Sequence, residues 1–136
     1  MAALNVLVVE DDAMIGILLA EMLGDMGYDV CAIAATEDDA VADAARCKPG
    51  LMIVDEQLRE GSGSSAVERI LLGGLVPCVF ISGAPLRFRR TAKKVLRKPF
   101  LEGDLLRAIQ DVLTGANAPL VRGIAGGGGG NVLVQH

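Results

Sequence analysis

Short apolar runs, each cut off by a polar or charged residue, alternate along this chain with segments whose apolar residues recur every three or four positions. Leu4 to Val9 carries one polar residue, Asn5, and stops at Glu10-Asp11-Asp12; Val30 to Ala34 makes a second run; Leu51 to Val54 stops at Asp55; Val76 to Ile81 stops at Ser82; the brief Val95-Leu96 is followed by Lys98. Runs apolar at nearly every residue suit strands buried on both faces of a parallel sheet. Between them, Asp12 can cap a helix with Ile15, Leu18, Leu19, Met22 and Met26 on its inner side, closed by Gly27. Thr36 with Asp39 opens a second helix, which Pro49-Gly50 closes, and Ser65 with Glu68 reads as the capping box of a third, ended by Gly73-Gly74. Leu105, Leu106, Ile109, Val112 and Leu113 form a last helix, stopped by Thr114-Gly115. Strand and helix in alternation mean βαβ units with right-handed crossovers, and so a doubly wound α/β domain over residues 1–114. Five consecutive glycines at 126–130 predict that 115–136 is a flexible tail.

Hydrophobic residues make up 51% of the 136, enough for a packed core, yet aromatics are only 3% and Trp is absent. The core must therefore come from Ala, Val, Leu and Ile, and the scarcity of aromatics argues against base-stacking platforms for single-stranded nucleic acid. The net charge of −4 hides a division: residues 1–60 hold thirteen acids and three bases, residues 61–136 four acids and ten bases. The first half calls for a cation, while the second can meet an acidic partner. Cys31, Cys47 and Cys78 are odd in number and show no C-x-x-C spacing, which predicts reduced, buried thiols. No apolar run reaches transmembrane length and no signal peptide is evident, so the cytoplasm is the expected location and a membrane partner is not expected.

In open α/β sheets ligands bind beyond the carboxyl ends of the strands, and here Glu10, Asp11, Asp55, Ser82 and Lys98 all fall at those ends. If the first and third strands are neighbours, about 4.8 Å apart, three carboxylates converge. Like charges so close need raised pKa values or a counter-ion, and a hard cation with oxygen ligands such as Mg²⁺ meets that need. Lys98 adds a fixed positive charge and Ser82 a hydroxyl donor, so the edge suits an incoming phosphoryl group, with Asp55 as its acceptor. Asp12 reads better as a helix cap than as a ligand.

Val8-Val9-Glu10-Asp11-Asp12, Ile53-Val54-Asp55, Phe80-Ile81-Ser82-Gly83 and Lys98-Pro99-Phe100 stand in the order and spacing of the receiver domain of bacterial two-component response regulators, which the chain resembles over residues 4–114. The resemblance implies a flavodoxin-like five-stranded parallel sheet in the order 2-1-3-4-5. It further implies that Asp55 accepts a phosphoryl group from a histidine kinase or histidine phosphotransfer protein, that Asp11 binds Mg²⁺ directly and Glu10 through water, and that the backbone carbonyl of Gln57 completes the ligands. Ser82 and Lys98 would contact the new phosphoryl oxygens, and Lys98-Pro99 would be cis. Sixteen positions from Ser82 to Lys98 leave the fourth helix shortened or absent, as in a subgroup whose fourth strand ends in Phe-Ala-Thr-Gly, although Ile81, Ala84 and Pro85 depart from that subgroup. Val95 stands where many receivers carry a switching Tyr or Phe, which leaves Phe88 or the loop to carry the signal, and Leu58-Arg59 replaces the usual Met-Pro.

Seven bases and no acids fall between Arg87 and Lys98, a candidate docking segment for an acidic protein effector. Direct DNA binding is not expected, since no recognition helix follows, and a homodimer stays open. The expected function is a phosphorylation switch rather than an enzyme with an external substrate. One competing class is a Mg²⁺-dependent phosphohydrolase with Asp55 as nucleophile, which would want a second aspartate where Gln57 stands. Another is a degenerate receiver that binds partners without phosphorylation. A dinucleotide enzyme is excluded by Glu10-Asp11-Asp12 in place of a glycine-rich turn.

Overall fold

The computed structural model describes residues 3–83 and 94–115. It contains β1 (Asn5–Val9), α1 (Ala13–Asp25), β2 (Asp29–Ala34), α2 (Glu37–Cys47), β3 (Leu51–Asp55), α3 (Gly63–Leu71), β4 (Cys78–Ser82), β5 (Val95–Arg97) and α4 (Glu102–Gly115). All five strands are parallel in the order β2-β1-β3-β4-β5, so chain direction along the sheet reverses after β2, beside the central β1–β3 pair. This is the expected flavodoxin-like fold. The shortened or absent fourth helix, Phe88 and the glycine-rich tail all lie outside the described residues.

Alternation along the strands builds two core layers, because successive side chains leave opposite faces of the sheet. Val6, Val8, Ile53, Val79 and Ile81 pack with Leu19 and Leu23 of α1 and Leu105 and Ile109 of α4. Leu7, Val9, Met52, Val54 and Phe80 pack with Ala40 and Ala44 of α2 and Ala66 and Val67 of α3. The core is aliphatic as expected, except that Phe80 is its largest fully buried side chain.

Three local expectations change. Leu18, expected on the inner side of α1, is 47% exposed, and Leu23 takes the buried place; α1 is apolar nearly all round, so periodicity does not single out its inner stripe. The third helix starts earlier, capped by Ser62, whose hydroxyl accepts from the Ser65 amide at 3.1 Å. The cysteines are free, but all three are half-buried rather than buried. Asp12 does cap α1, accepting from the amides of Met14 at 2.9 Å and Ile15 at 3.2 Å.

Candidate functional site

β1 and β3 are adjacent, with Val9 opposite Val54, so the next residues, Glu10 and Asp55, leave neighbouring strand tips. Glu10 is 2% exposed and Asp55 4%. Oxygens of Glu10, Asp11 and Asp55 all lie within 4.8 Å of one another, the one such cluster of possible metal ligands among the described residues. Pairing of Ser82 with Arg97 brings β5 alongside and delivers Lys98 to the same edge, across a cis Lys98-Pro99 bond. The Lys98 ammonium stands 3.2 Å from Asp55 Oδ2 and 3.9 Å from Glu10 Oε1. Asp55 Oδ1 accepts from the Gln57 amide at 3.1 Å.

One ammonium facing three carboxylates leaves an excess of negative charge. Burial pushes the Glu10 carboxyl up to about 7; the Asp12 amide that it accepts works against this, and the Asp55 carboxylate adds to it. Glu10 Oε1 is buried with no hydrogen-bond partner, and Lys98 is too far to supply one. An orphaned buried carboxylate oxygen within an all-oxygen acidic cluster fits a hard divalent cation, which would satisfy the oxygen and neutralise the repulsion.

An open cleft of about 510 Å³ gives access, with Glu10, Asp11, Asp55, Gln57, Gly83 and Lys98 in its walls. Gln57 is thus beside the carboxylates, and the buried Ser82 ends β4 next to Gly83. A second cleft of about 480 Å³, lined by Ala44, Pro49, Ile70 and Gly73 among others, holds none of these residues. Of the seven bases from Arg87 to Lys98, Lys98 faces the site, Lys94 pairs with Asp111 at 3.7 Å and Arg97 is exposed; Arg87, Arg89, Arg90 and Lys93 lie outside the described residues.

Several contacts that sequence reading did not anticipate surround the loop after β3. Arg59 donates to the Asp11 carbonyl at 3.1 Å, tying that loop to the one after β1. Glu56 accepts from the Ser64 amide at 2.9 Å, and Glu37 of α2 accepts from Ser62, Ser65 and Arg69. Arg59 lies 48 positions from Asp11, and Glu37 lies 25 to 32 from its partners, so no local pattern could reveal them.

Residues 6–110 match the response regulator receiver domain family. The chain belongs to that family, the receiver domains of two-component signalling. It is 33% identical over 117 residues to the phyllosphere-induced regulator PhyR of Methylorubrum extorquens, covering 82% of this chain and 44% of the relative. To the transcriptional regulatory protein PdtaR of Mycobacterium tuberculosis it is 34% identical over 112 residues, covering 78% and 55%. The chain thus spans about half the length of these curated relatives, both named as regulators. The solution structure of the Erythrobacter litoralis PhyR receiver domain superposes with a TM-score of 0.74 at 34% identity, covering 84% of this chain and 92% of that one.

Proposed function

We propose that this receiver is a phosphorylation switch in which Asp55 takes a phosphoryl group from a phosphohistidine on a histidine kinase or phosphotransfer protein. The observation that carries the reading is the convergence of the Glu10, Asp11 and Asp55 carboxylates with the Lys98 ammonium at one end of the central strand pair. In the transfer, a carboxylate oxygen of Asp55 attacks phosphorus; the P–O bond forms as the P–N bond breaks, and the donor imidazole leaves neutral, keeping the proton already on its other ring nitrogen. Lys98, already at Asp55 Oδ2, follows the negative charge onto the phosphoryl oxygens, and the Gln57 amide keeps Asp55 in the attacking orientation. Ser82, at the end of the neighbouring strand, offers the hydroxyl that meets a second phosphoryl oxygen. Glu10, Asp11, Asp55 and the Gln57 carbonyl would hold Mg²⁺, which supplies Lewis-acid stabilisation of the charge on the transferring group.

A macromolecular donor is supported by α1, which starts at the rim of the site and exposes Met14 (67%), Ile17 (55%) and Leu18 (47%) in a continuous apolar patch. Incubation with Mg²⁺ and acetyl phosphate should add one acid-stable, base-labile phosphate, visible as a mass shift. Asp55→Asn should abolish that shift. Equal labelling of this variant would defeat the assignment.

A further inference from the structure

We propose that Glu37, on α2 and outside the acidic cluster, is a positioning residue for this site: it holds the loop between β3 and α3 in the shape that keeps Gln57 on the cleft wall. The inference rests on the metal-binding reading of the site given above.

The loop has little to fix it from within. Residues 58–61 read Leu-Arg-Glu-Gly, with no proline, and Gly61 takes a left-handed conformation at φ +87°. Its internal pins lie at its ends: the Gly63 amide donates to the Glu56 carbonyl at 3.0 Å, and Gln57 bridges to Ser62. Glu37 supplies an outside anchor. Its backbone amide donates to the Glu60 carbonyl at 3.0 Å, its Oε1 accepts from the Ser62 amide at 3.2 Å, and its Oε2 accepts from the Ser65 hydroxyl at 2.7 Å and from Arg69 at 3.0 Å. A methyl group at Gly61 would run into the Glu37 side chain, so loop and carboxylate are in close contact as well as hydrogen-bonded.

An acid in the first turn of a helix often serves that helix's own dipole, but the capping duty here belongs to Thr36, whose hydroxyl accepts from the Asp39 amide at 3.1 Å. The Glu37 carboxylate is turned onto a different part of the chain. Ser65 and Arg69 hold it below the usual carboxylate range, so it stays charged at neutral pH. Ser62, its contact on the loop, is also the N-cap of α3 and the bridge partner of Gln57. Removing the carboxylate releases the Ser62 amide, and with it the bridge partner of Gln57.

Titration calorimetry with MgCl₂ on the whole chain, beside amide NMR spectra of the metal-free protein, tests this. Loss of a group that orients a metal site typically weakens binding 10–100-fold, and for Glu37→Ala we expect about tenfold, since the Glu10, Asp11 and Asp55 carboxylates remain. The Gln57 and Ser62 amide resonances should move in the absence of metal. Glu37→Gln keeps an oxygen for the Ser62 amide and should recover most of the affinity. Wild-type Mg²⁺ affinity and an unmoved Gln57 resonance in Glu37→Ala would overturn the proposal, even if that variant melted earlier. A Glu37→Gln variant as weak as Glu37→Ala overturns it too. Should Glu37→Ala fail to fold, Gly61→Ala disturbs the same contact from the loop side and must reproduce the loss of affinity. A wild-type chain that binds no Mg²⁺ overturns the reading of the site; the metal-free Gln57 resonance still reports separately whether Glu37 holds the loop.

Discussion

Glu10 carries the clearest conflict at the scale of single residues: a carboxyl 2% exposed, with one oxygen unpartnered, beside a second buried carboxylate. In the folded chain it titrates near 7, against 4.5 for the ordinary group, chiefly through burial. Between those values the folded state keeps a proton that the unfolded chain has released. Stability from this group is therefore complete below about pH 4.5, falls as pH rises, and levels above about 7. Glu10→Gln is neutral throughout, so without metal its melting temperature should exceed the wild type's by a margin that grows from pH 5 to pH 8. Taking the difference between the two proteins cancels the titrating groups distant from Glu10, and a constant margin would contradict the argument. Mg²⁺ binding demands the ionised carboxyl, so affinity should climb over the same window. Which residues meet at this edge was legible in the sequence, because strand tips are marked by where apolar runs stop. The raised pKa was legible only as a general need for relief of like charge.

At the scale of elements, the start of α3 departs from the sequence expectation at a place where the backbone comes close to itself. Ser65 and Glu68 looked like a capping box, but Ser62 caps α3, because Gly63 lets the helix begin directly against β3. A Cβ at Gly63 would collide with the Asp55 carbonyl, a backbone atom that no side-chain rotation can clear. Glycine to alanine in a helix normally stabilises by about 0.4–1 kcal/mol. Gly63→Ala should do the reverse, costing about 1–3 kcal/mol in denaturant unfolding as α3 is pushed from the strand. Gly24→Ala, in α1 where a Cβ meets nothing within 4 Å, is the matched control and should stabilise. A stabilised Gly63→Ala would show that α3 does not need this approach. No pattern of residue types announces such a contact; it exists only once β3 and α3 are packed. The inner stripe of α1 failed for another reason: an apolar residue on every side leaves the 3.6 period without contrast.

At the scale of the molecule, alternation of strand and helix was enough to give a parallel sheet with helices on both faces, because βαβ crossovers allow little else. Strand order came from family resemblance, since nothing in five apolar runs says which lies beside which. The domain's end is the remaining question, and we propose that it closes at residue 114. Among the described residues Val112 is the last of the buried layer shared by α1 and α4, and Leu113 packs on that layer, while Thr114 is exposed. If that layer ends there, a chain stopped after Gly115 should keep its melting temperature within about 2–4 °C, the shift expected when under 0.5 kcal/mol is lost. Acceptance of phosphate at Asp55 should be equally unaffected. A chain stopped after Asp111 loses both Val112 and Leu113 and opens the layer against β4 and β5, which should cost about 2–5 kcal/mol, the range for emptying a large core position. Circular dichroism melts of the two truncations decide it. A large loss in the longer one would place part of 116–136 in the fold, and an unchanged shorter one would move the boundary back along α4.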